Sequence, residues 1–214
     1  MKRTLTTLFS VFILIPLLSV VAQDRNRGYV ALRAPQPVET GERIEVREFF
    51  WYGCPHCYSL EPAVERWLKR KPPNVAFVRT PATSPRWLIH AQAYYAFEAL
   101  GALERTHAAL FRAMHEQNRR LGDETALAEF AAEQGIDPAK FRAAFNSFGV
   151  RTKVEKAKQI NAAYQVTSVP MFAVDGKYVT SAAMTGGEAG LLAALDQLVQ
   201  KAARERPAKP NGGK

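Results

Sequence analysis

The stretch "EFFWYGCPHCYSLEP", Glu48 to Pro62, places a Cys-Pro-His-Cys tetrad directly behind a buried-looking aromatic run. Its reading decides the fold, because Cys54 and Cys57 are the only two cysteines in 214 residues. They can be a structural staple, a pair of metal ligands or a reactive dithiol. A disulfide closing so short a loop contributes only roughly 2 kcal/mol in the chain-entropy picture, against about 4.7 for a loop of ~100 residues. So tight a ring also favours reducibility over permanence. Metal binding needs more donors than Cys54, His56 and Cys57 supply, because a structural zinc site wants four, usually in two spaced pairs. No second cysteine pair exists, and His90, His107 and His115 fall in helical text, where packing or surface roles are the ordinary reading.

The reactive dithiol has physical support from its neighbours. Cys54 falls at the N-cap of a helix with Pro55 at the first helical position, where a missing N–H costs nothing. The unpaired N–H groups and the positive helix end then favour an anion at Cys54 and lower its pKa. Cys57 lies one turn in, on the same face but buried. His56 adds a donor or a positive charge beside the Cys54 sulfur. Trp51, Tyr52 and Gly53 form an apolar rim.

Outward from the tetrad, "RIEVREFFWY" has the β-branched and aromatic content of a buried strand. Ala63, Val64, Trp67 and Leu68 carry a helix to about Arg70. "KPPN" is a turn, and "VAFVRT" is a second strand closed by Pro81. From Trp87 to about Ala163 the text is helical, in four or five short helices. Gly101 and Gly135 fit helix C-termini, Asp123 fits an N-cap, and Asp137-Pro138 opens a further helix. Phe141, Phe145 and Phe148 are expected on one face of it. "VPMFAVDGKYVT" restores strand character, with Asp175-Gly176 as a two-residue hairpin signal. "GGEAGLLAALDQLVQKAA" closes the order with an amphipathic helix.

The ends of the chain carry other information. "MKRTLTTLFSVFILIPLLSVVAQD" has Lys2 and Arg3 ahead of an uncharged apolar run, Leu8 to Val21, with small or modest residues at Val20-Val21-Ala22. A run of about 14 residues spans roughly 21 Å as a helix, short of the roughly 30 Å hydrocarbon core. A cleaved signal peptide over 1–22 is therefore expected, and no cysteine follows it to carry a lipid. Residues 23–42 read as an extended N-terminal arm, and 204–214 as a disordered basic tail. The formal net charge is +9, but Lys and Arg are scattered among Glu and concentrated in that tail. That is a solvated basic surface and not a nucleic-acid footprint.

With these residues in place, "EFFWYGCPHCYSLEP", the long helical insertion and "VPMFAVDGKYV" resemble the thioredoxin superfamily, and within it the DsbA family of periplasmic thiol:disulfide oxidases. The resemblance covers about residues 43–203. It implies an α/β thioredoxin-like fold with an inserted all-helical domain, the thioredoxin-like unit being discontinuous over 43–82 and 164–203 and the insertion spanning 83–163. It implies that Cys54 is the nucleophile, Cys57 the resolving cysteine and Pro170 a cis-proline. On the residues alone, Val169-Pro170 could equally be a trans proline at a strand start. Beside the tetrad, Val169, Pro170 and His56 would offer an edge to an extended peptide. A strongly acid-shifted nucleophilic cysteine is a known property of the family, so a depressed Cys54 pKa is also inherited from the resemblance.

Glu48, six residues before Cys54, matches the family's buried acid and is the candidate proton relay to Cys57; an ordinary salt bridge is the alternative. Arg79 stands where the family often has Lys, and Arg does not give up its proton. No nucleotide or flavin motif is present, so no cofactor is expected beyond the Cys54–Cys57 disulfide. The implied partners are unfolded or extended polypeptides with free thiols, and a DsbB-like membrane quinone reductase that reoxidises the pair in the periplasm. A monomer is expected, because no dimerisation module precedes the redox unit. A reductase or isomerase, a peptide-binding chaperone using the same groove and a metal carrier are the rival readings. The histidine of the tetrad argues for the oxidase direction.

Overall fold

The centre of the molecule is the strand that leads into the tetrad. In the computed structural model, which describes residues 28–206, this strand is β2 (Ile44–Phe50), and all seven of its residues are buried. It pairs in parallel with β3 (Val75–Pro81) and antiparallel with β4 (Met171–Val174). β4 returns to β5 (Tyr178–Thr180), and β1 (Val30–Ala31) closes the far edge, giving the order β1-β5-β4-β2-β3. Alternation along β2 sends Ile44, Val46, Glu48 and Phe50 to one face and Glu45, Arg47 and Phe49 to the other.

On the first face lie α1 (Pro55–Arg70) and the closing helix α8 (Glu188–Glu205), whose Val64, Trp67, Leu191 and Leu195 pack on Ile44, Val46, Phe172 and Val174. Each such fully buried side chain contributes about 1.5–3 kcal/mol. On the second face Phe49 and Ala173 meet Tyr164. Between β3 and β4 run five helices: α2 (Leu88–Ala99), α3 (Leu103–His115), α4 (Glu124–Glu133), α5 (Pro138–Phe145) and α6 (Phe148–Ala163). Their own core contains Phe97, Phe111, Phe130 and Phe141, and it extends to Phe50, Tyr52, Cys54 and Cys57. The tetrad therefore sits at the seam between the sheet unit and the helical block. This is the thioredoxin-like arrangement with a helical insertion. Among the described residues, no helix is long and apolar enough to cross a membrane.

The capping expectations hold. Asp123 and Asp137 accept from the first-turn N–H groups of α4 and α5, and Gly101 and Gly135 follow helix ends at φ +63° and +72°. At several points the structure departs from these readings or adds to them. The arm supplies β1, a two-residue edge strand too short for any periodic signal. Phe148 is not on the face of Phe141 and Phe145, because Ser147 caps a new helix there and leaves Phe148 77% exposed. The hairpin has three connecting residues and not two. Lys177 N–H donates to Val174 O around Asp175 and Gly176, both at positive φ, while the register pairs Val174 with Tyr178. A one-turn helix, α7 (Ala182–Thr185), precedes α8.

At the C-terminus, α8 runs through Arg204 and Glu205 into the stretch expected to be tail. Arg206 then pairs with Asp175 and donates to the Arg43 carbonyl at 2.9 Å. The expected signal peptide and the tail from 207 onward lie outside the described residues.

Candidate active site

The first turn of α1 is assembled as its sequence dictates. Cys54 is the N-cap, in extended conformation, and its sulfur accepts the Cys57 N–H at 3.2 Å; Pro55 occupies the first turn. Cys54 N–H is itself tied to Trp51 O at 3.0 Å, which fixes the entry of the chain into the helix. Both thiols are free. Cys54 Sγ lies 3.5 Å from the Val169 carbonyl oxygen, to which the thiol donates. The Val169-Pro170 peptide is cis, and Pro170 leads directly into β4.

The two sulfurs are held in opposite protonation states. The Cys54 pKa is lowered to about 6, first by the hydrogen bond from the Cys57 thiol, and further by the Cys57 and His56 backbone N–H groups and the His56 side chain, with burial opposing. Cys57 is wholly buried, and burial pushes its thiol far up; donation to Cys54 and the Glu48 carboxylate add to the rise. His56 is exposed at the mouth. Beside it a cleft of about 460 Å³ is lined by His56, Leu60, Val169, Pro170, Ala182 and Ala183.

Glu48 lies beneath α1, in register with Arg79 across β2 and β3. Its side chain is fully buried, with Oε2 3.1 Å from Arg79 Nε. Burial raises its pKa to about 7 against the pull of Arg79. Arg79 also reaches Glu61 Oε2 at 3.0 Å and Glu65 Oε1 at 3.3 Å. Burial alone would lower its pKa, but Glu48 and Glu61 outweigh that and hold it protonated.

Sequence reasoning missed several neighbours. Trp87 stacks on Trp51 with centroids 5.0 Å apart and planes at 17°. Trp51 Nε1–H donates to His90 Nδ1 at 2.8 Å, and His90 Nε2, which therefore carries the other hydrogen, faces Leu121 O at 2.9 Å. This chain ties the rim of the tetrad to the helical block. It also explains Gly53, since a Cβ there would stand 2.3 Å from the Trp51 ring. Glu61 had a usable signal: it is four residues beyond Cys57 and so on its face of the helix. Trp87, His90 and His107 had none, because nothing local says which helix folds back onto the tetrad. Among the described residues, no group of three or more His, Cys, Asp or Glu is placed to hold a metal ion.

A reactive, acid-shifted cysteine at a helix N-terminus, a buried second cysteine and a proline loop against the first define a thioredoxin-fold thiol:disulfide oxidoreductase. Residues 88–193 match the model of the DSBA-like thioredoxin domain. The thiol:disulfide interchange protein DsbA of Pseudomonas aeruginosa is 40% identical over 183 residues, covering 84% of this chain and 87% of that protein. The DsbA of Azotobacter vinelandii is 40% identical over 82% of the chain and 83% of its own length. The crystal structure of Pseudomonas aeruginosa DsbA superimposes with a TM-score of 0.79 at 40% identity, over 85% of this chain and 96% of that one. The chain belongs to the DsbA family of thiol:disulfide interchange proteins.

Proposed function

We propose that this oxidoreductase works as an oxidase. It passes the Cys54–Cys57 disulfide to unfolded or extended polypeptides in the periplasm, acts as a monomer, and is reoxidised by a DsbB-like membrane quinone reductase. The observation that carries this reading is the contrast at the first turn of α1, where the Cys54 sulfur receives the Cys57 N–H and thiol while Cys57 is buried. A stabilised Cys54 thiolate lowers the free energy of the reduced form, and linkage makes the disulfide a strong oxidant.

In the proposed cycle a substrate thiolate attacks Cys54 Sγ. The Cys54–Cys57 bond breaks, and Cys57 leaves as a thiolate that takes a proton from Glu48. The substrate's second thiolate then attacks the substrate sulfur of the mixed disulfide and expels Cys54 as thiolate. Two electrons have passed from the substrate dithiol to the enzyme, and reoxidation reverses the sequence with the membrane partner as acceptor. His56 stabilises the Cys54 thiolate and Pro55 starts the helix without a wasted donor. Val169 and Pro170, with His56, hold the substrate chain along the 460 Å³ cleft.

The deciding measurement is the equilibrium of the Cys54–Cys57 pair against glutathione. The oxidase reading expects a pair that stays reduced when glutathione is substantially oxidised; a strongly reducing potential would overturn it in favour of a reductase. A Cys54→Ala variant that kept full biological activity together with peptide binding would overturn the enzyme reading in favour of a chaperone.

A further inference from the structure

Four histidines are present, and one belongs to the tetrad. The other three converge on Trp51 and Tyr52, the two residues before Gly53 and Cys54. From α2, His90 accepts the Trp51 indole N–H at 2.8 Å. From α3, His107 Nδ1 lies 2.8 Å from the Tyr52 hydroxyl, and His115 Nε2 lies 2.7 Å from the Tyr52 carbonyl oxygen. A carbonyl only accepts, so His115 Nε2 carries the hydrogen and donates it. The His115 ring is set in place by Tyr58 of α1, which stacks on it with centroids 4.9 Å apart and planes at 7°. Tyr58 N–H in turn donates to Cys54 O at 3.1 Å. His90 and His107 are buried, and His115 is half-buried.

Gly53 is the reason the chain needs such a hold. The Trp51 ring leaves no room for a side chain there, and glycine is the residue with most backbone freedom to lose. The freest link of the segment therefore directly precedes the nucleophile. A peptide group is planar, so tying the Tyr52 carbonyl to His115 fixes the whole Tyr52–Gly53 plane. Beyond Gly53 the Cys54 N–H is fixed on Trp51 O at 3.0 Å, and Trp51 is itself held through its indole at His90. Gly53 is thus pinned on both sides, and with it the direction in which Cys54 enters α1.

What this hold contributes depends on redox state. In the oxidised pair the bond to Cys57 keeps the Cys54 sulfur in place. In the reduced pair no covalent bond does. The sulfur then stays 3.2 Å from the Cys57 nitrogen at the N-cap only as far as the backbone ahead of it is held.

We propose that His115 and His90 are positioning residues for disulfide exchange at Cys54, gripping Tyr52 and Trp51 from the helical block so that the reduced Cys54 sulfur is aimed at the N–H groups of the α1 N-terminus. The grip stabilises the reduced protein over the oxidised one, and it does so whichever way electrons flow. His107 anchors the Tyr52 ring from the same helix as His115. The helical insertion is thereby part of what sets the redox pair, and not only a cover over the sheet.

The test compares His115→Leu, which cannot donate, with His115→Gln, whose amide nitrogen can. Three quantities are measured on the intact protein: Cys54 thiolate absorbance against pH, the glutathione equilibrium, and denaturant unfolding of the reduced and oxidised forms. His115→Leu is expected to raise the Cys54 pKa by about one and to shift the equilibrium about tenfold toward the disulfide, the low end of what a hydrogen bond to a charged group contributes. It should lose correspondingly more stability when reduced than when oxidised, and His115→Gln should recover most of each shift. His90→Leu should give a smaller shift of the same sign, which His90→Asn, able to accept from the Trp51 indole, should reduce. Equal loss of stability in both redox forms, with pKa and equilibrium unchanged, would overturn the proposal and leave His115 a packing residue. Equal shifts in His115→Gln and His115→Leu would overturn the hydrogen bond as the cause. Nitrogen NMR of the reduced parent needs no variant to fold. It should show hydrogen on His115 Nε2, and an imidazole protonated at Nδ1 alone would overturn the grip.

Discussion

Cys54 and Cys57 are separated by two residues at the N-terminal turn of α1, and the molecule surrounds them with opposite environments. Around Cys54 are the first N–H groups of a helix, the Cys57 thiol and an exposed histidine, all of which favour a negative sulfur. Around Cys57 are the aromatic core of the helical block and the buried Glu48 carboxylate, which disfavour one. The difference teaches that the asymmetry of a dithiol is built by what lies on either side of the helix turn. The tetrad fixes the spacing, and the strand and helices beneath it decide which sulfur is charged.

The sharpest way to break this comparison is to remove one sulfur and ask how the other reacts. Thiol–disulfide exchange follows the thiolate fraction. In reduced Cys54→Ala, the remaining Cys57 is expected to react with a chromogenic disulfide at neutral pH at least about 10³-fold more slowly than Cys54 does in Cys57→Ala. Comparable rates would mean that burial and Glu48 do not govern Cys57.

A second test uses pH. Cys54 titrates near 6 in the fold against an ordinary value of 9.0. A depressed acid contributes stability that is fully present above the unfolded pKa and lost as pH falls through the folded one. The reduced protein should therefore gain stability relative to the oxidised protein as pH rises from about 6 to 9, by about 4 kcal/mol over three pKa units. Denaturant unfolding of both forms across that window measures it, and parallel curves would contradict a stabilised thiolate.

The opposite sign belongs to the other side of the turn. Glu48 is raised from 4.5 to about 7. Its stability contribution is fully present below the unfolded pKa and lost as pH rises through the folded one. Glu48→Gln should flatten the fall in stability between about pH 4.5 and 7, an effect of up to about 3 kcal/mol. Unfolding of the oxidised variant and parent isolates this from the Cys54 titration, and identical slopes would show that Glu48 is as well solvated in the fold as out of it.

How much of this was legible beforehand depends on sequence distance. The order of strand, tetrad, helix, strand and helical block could be followed because each element carries its own period and caps, as with Asp137-Pro138 opening α5. Cys54, Pro55 and Cys57 lie within four residues, so the helix turn places them together, and Glu48, six residues before Cys54, was matched through the resemblance. β1 was not legible, because two residues carry no period and owe their strand state to the pairing with β5. Arg79 was found only through the resemblance, and Trp87, His90 and His107 not at all. They reach the tetrad through tertiary packing of α2 and α3, which no local pattern encodes.

The smallest effect is expected at the residue that carries most weight in the sequence. His56 distinguishes the tetrad from other CxxC motifs, yet in the fold it acts on Cys54 after the Cys57 thiol and the backbone N–H groups of Cys57 and His56 itself. Its side chain is exposed, so water and salt screen its charge. His56→Ala leaves the N-cap geometry and the Cys57 donors in place, because neither uses the imidazole. The variant should therefore raise the Cys54 pKa by less than about one unit and shift the glutathione equilibrium by less than about tenfold toward the disulfide, the equivalent of about 1.4 kcal/mol. The shift should shrink as ionic strength rises from low to physiological. Thiolate absorbance against pH and the glutathione equilibrium at two salt concentrations measure both. A shift of a hundredfold or more, insensitive to salt, would reverse the ranking: the histidine, and not the helix turn that surrounds it, would then be what sets the two sulfurs apart.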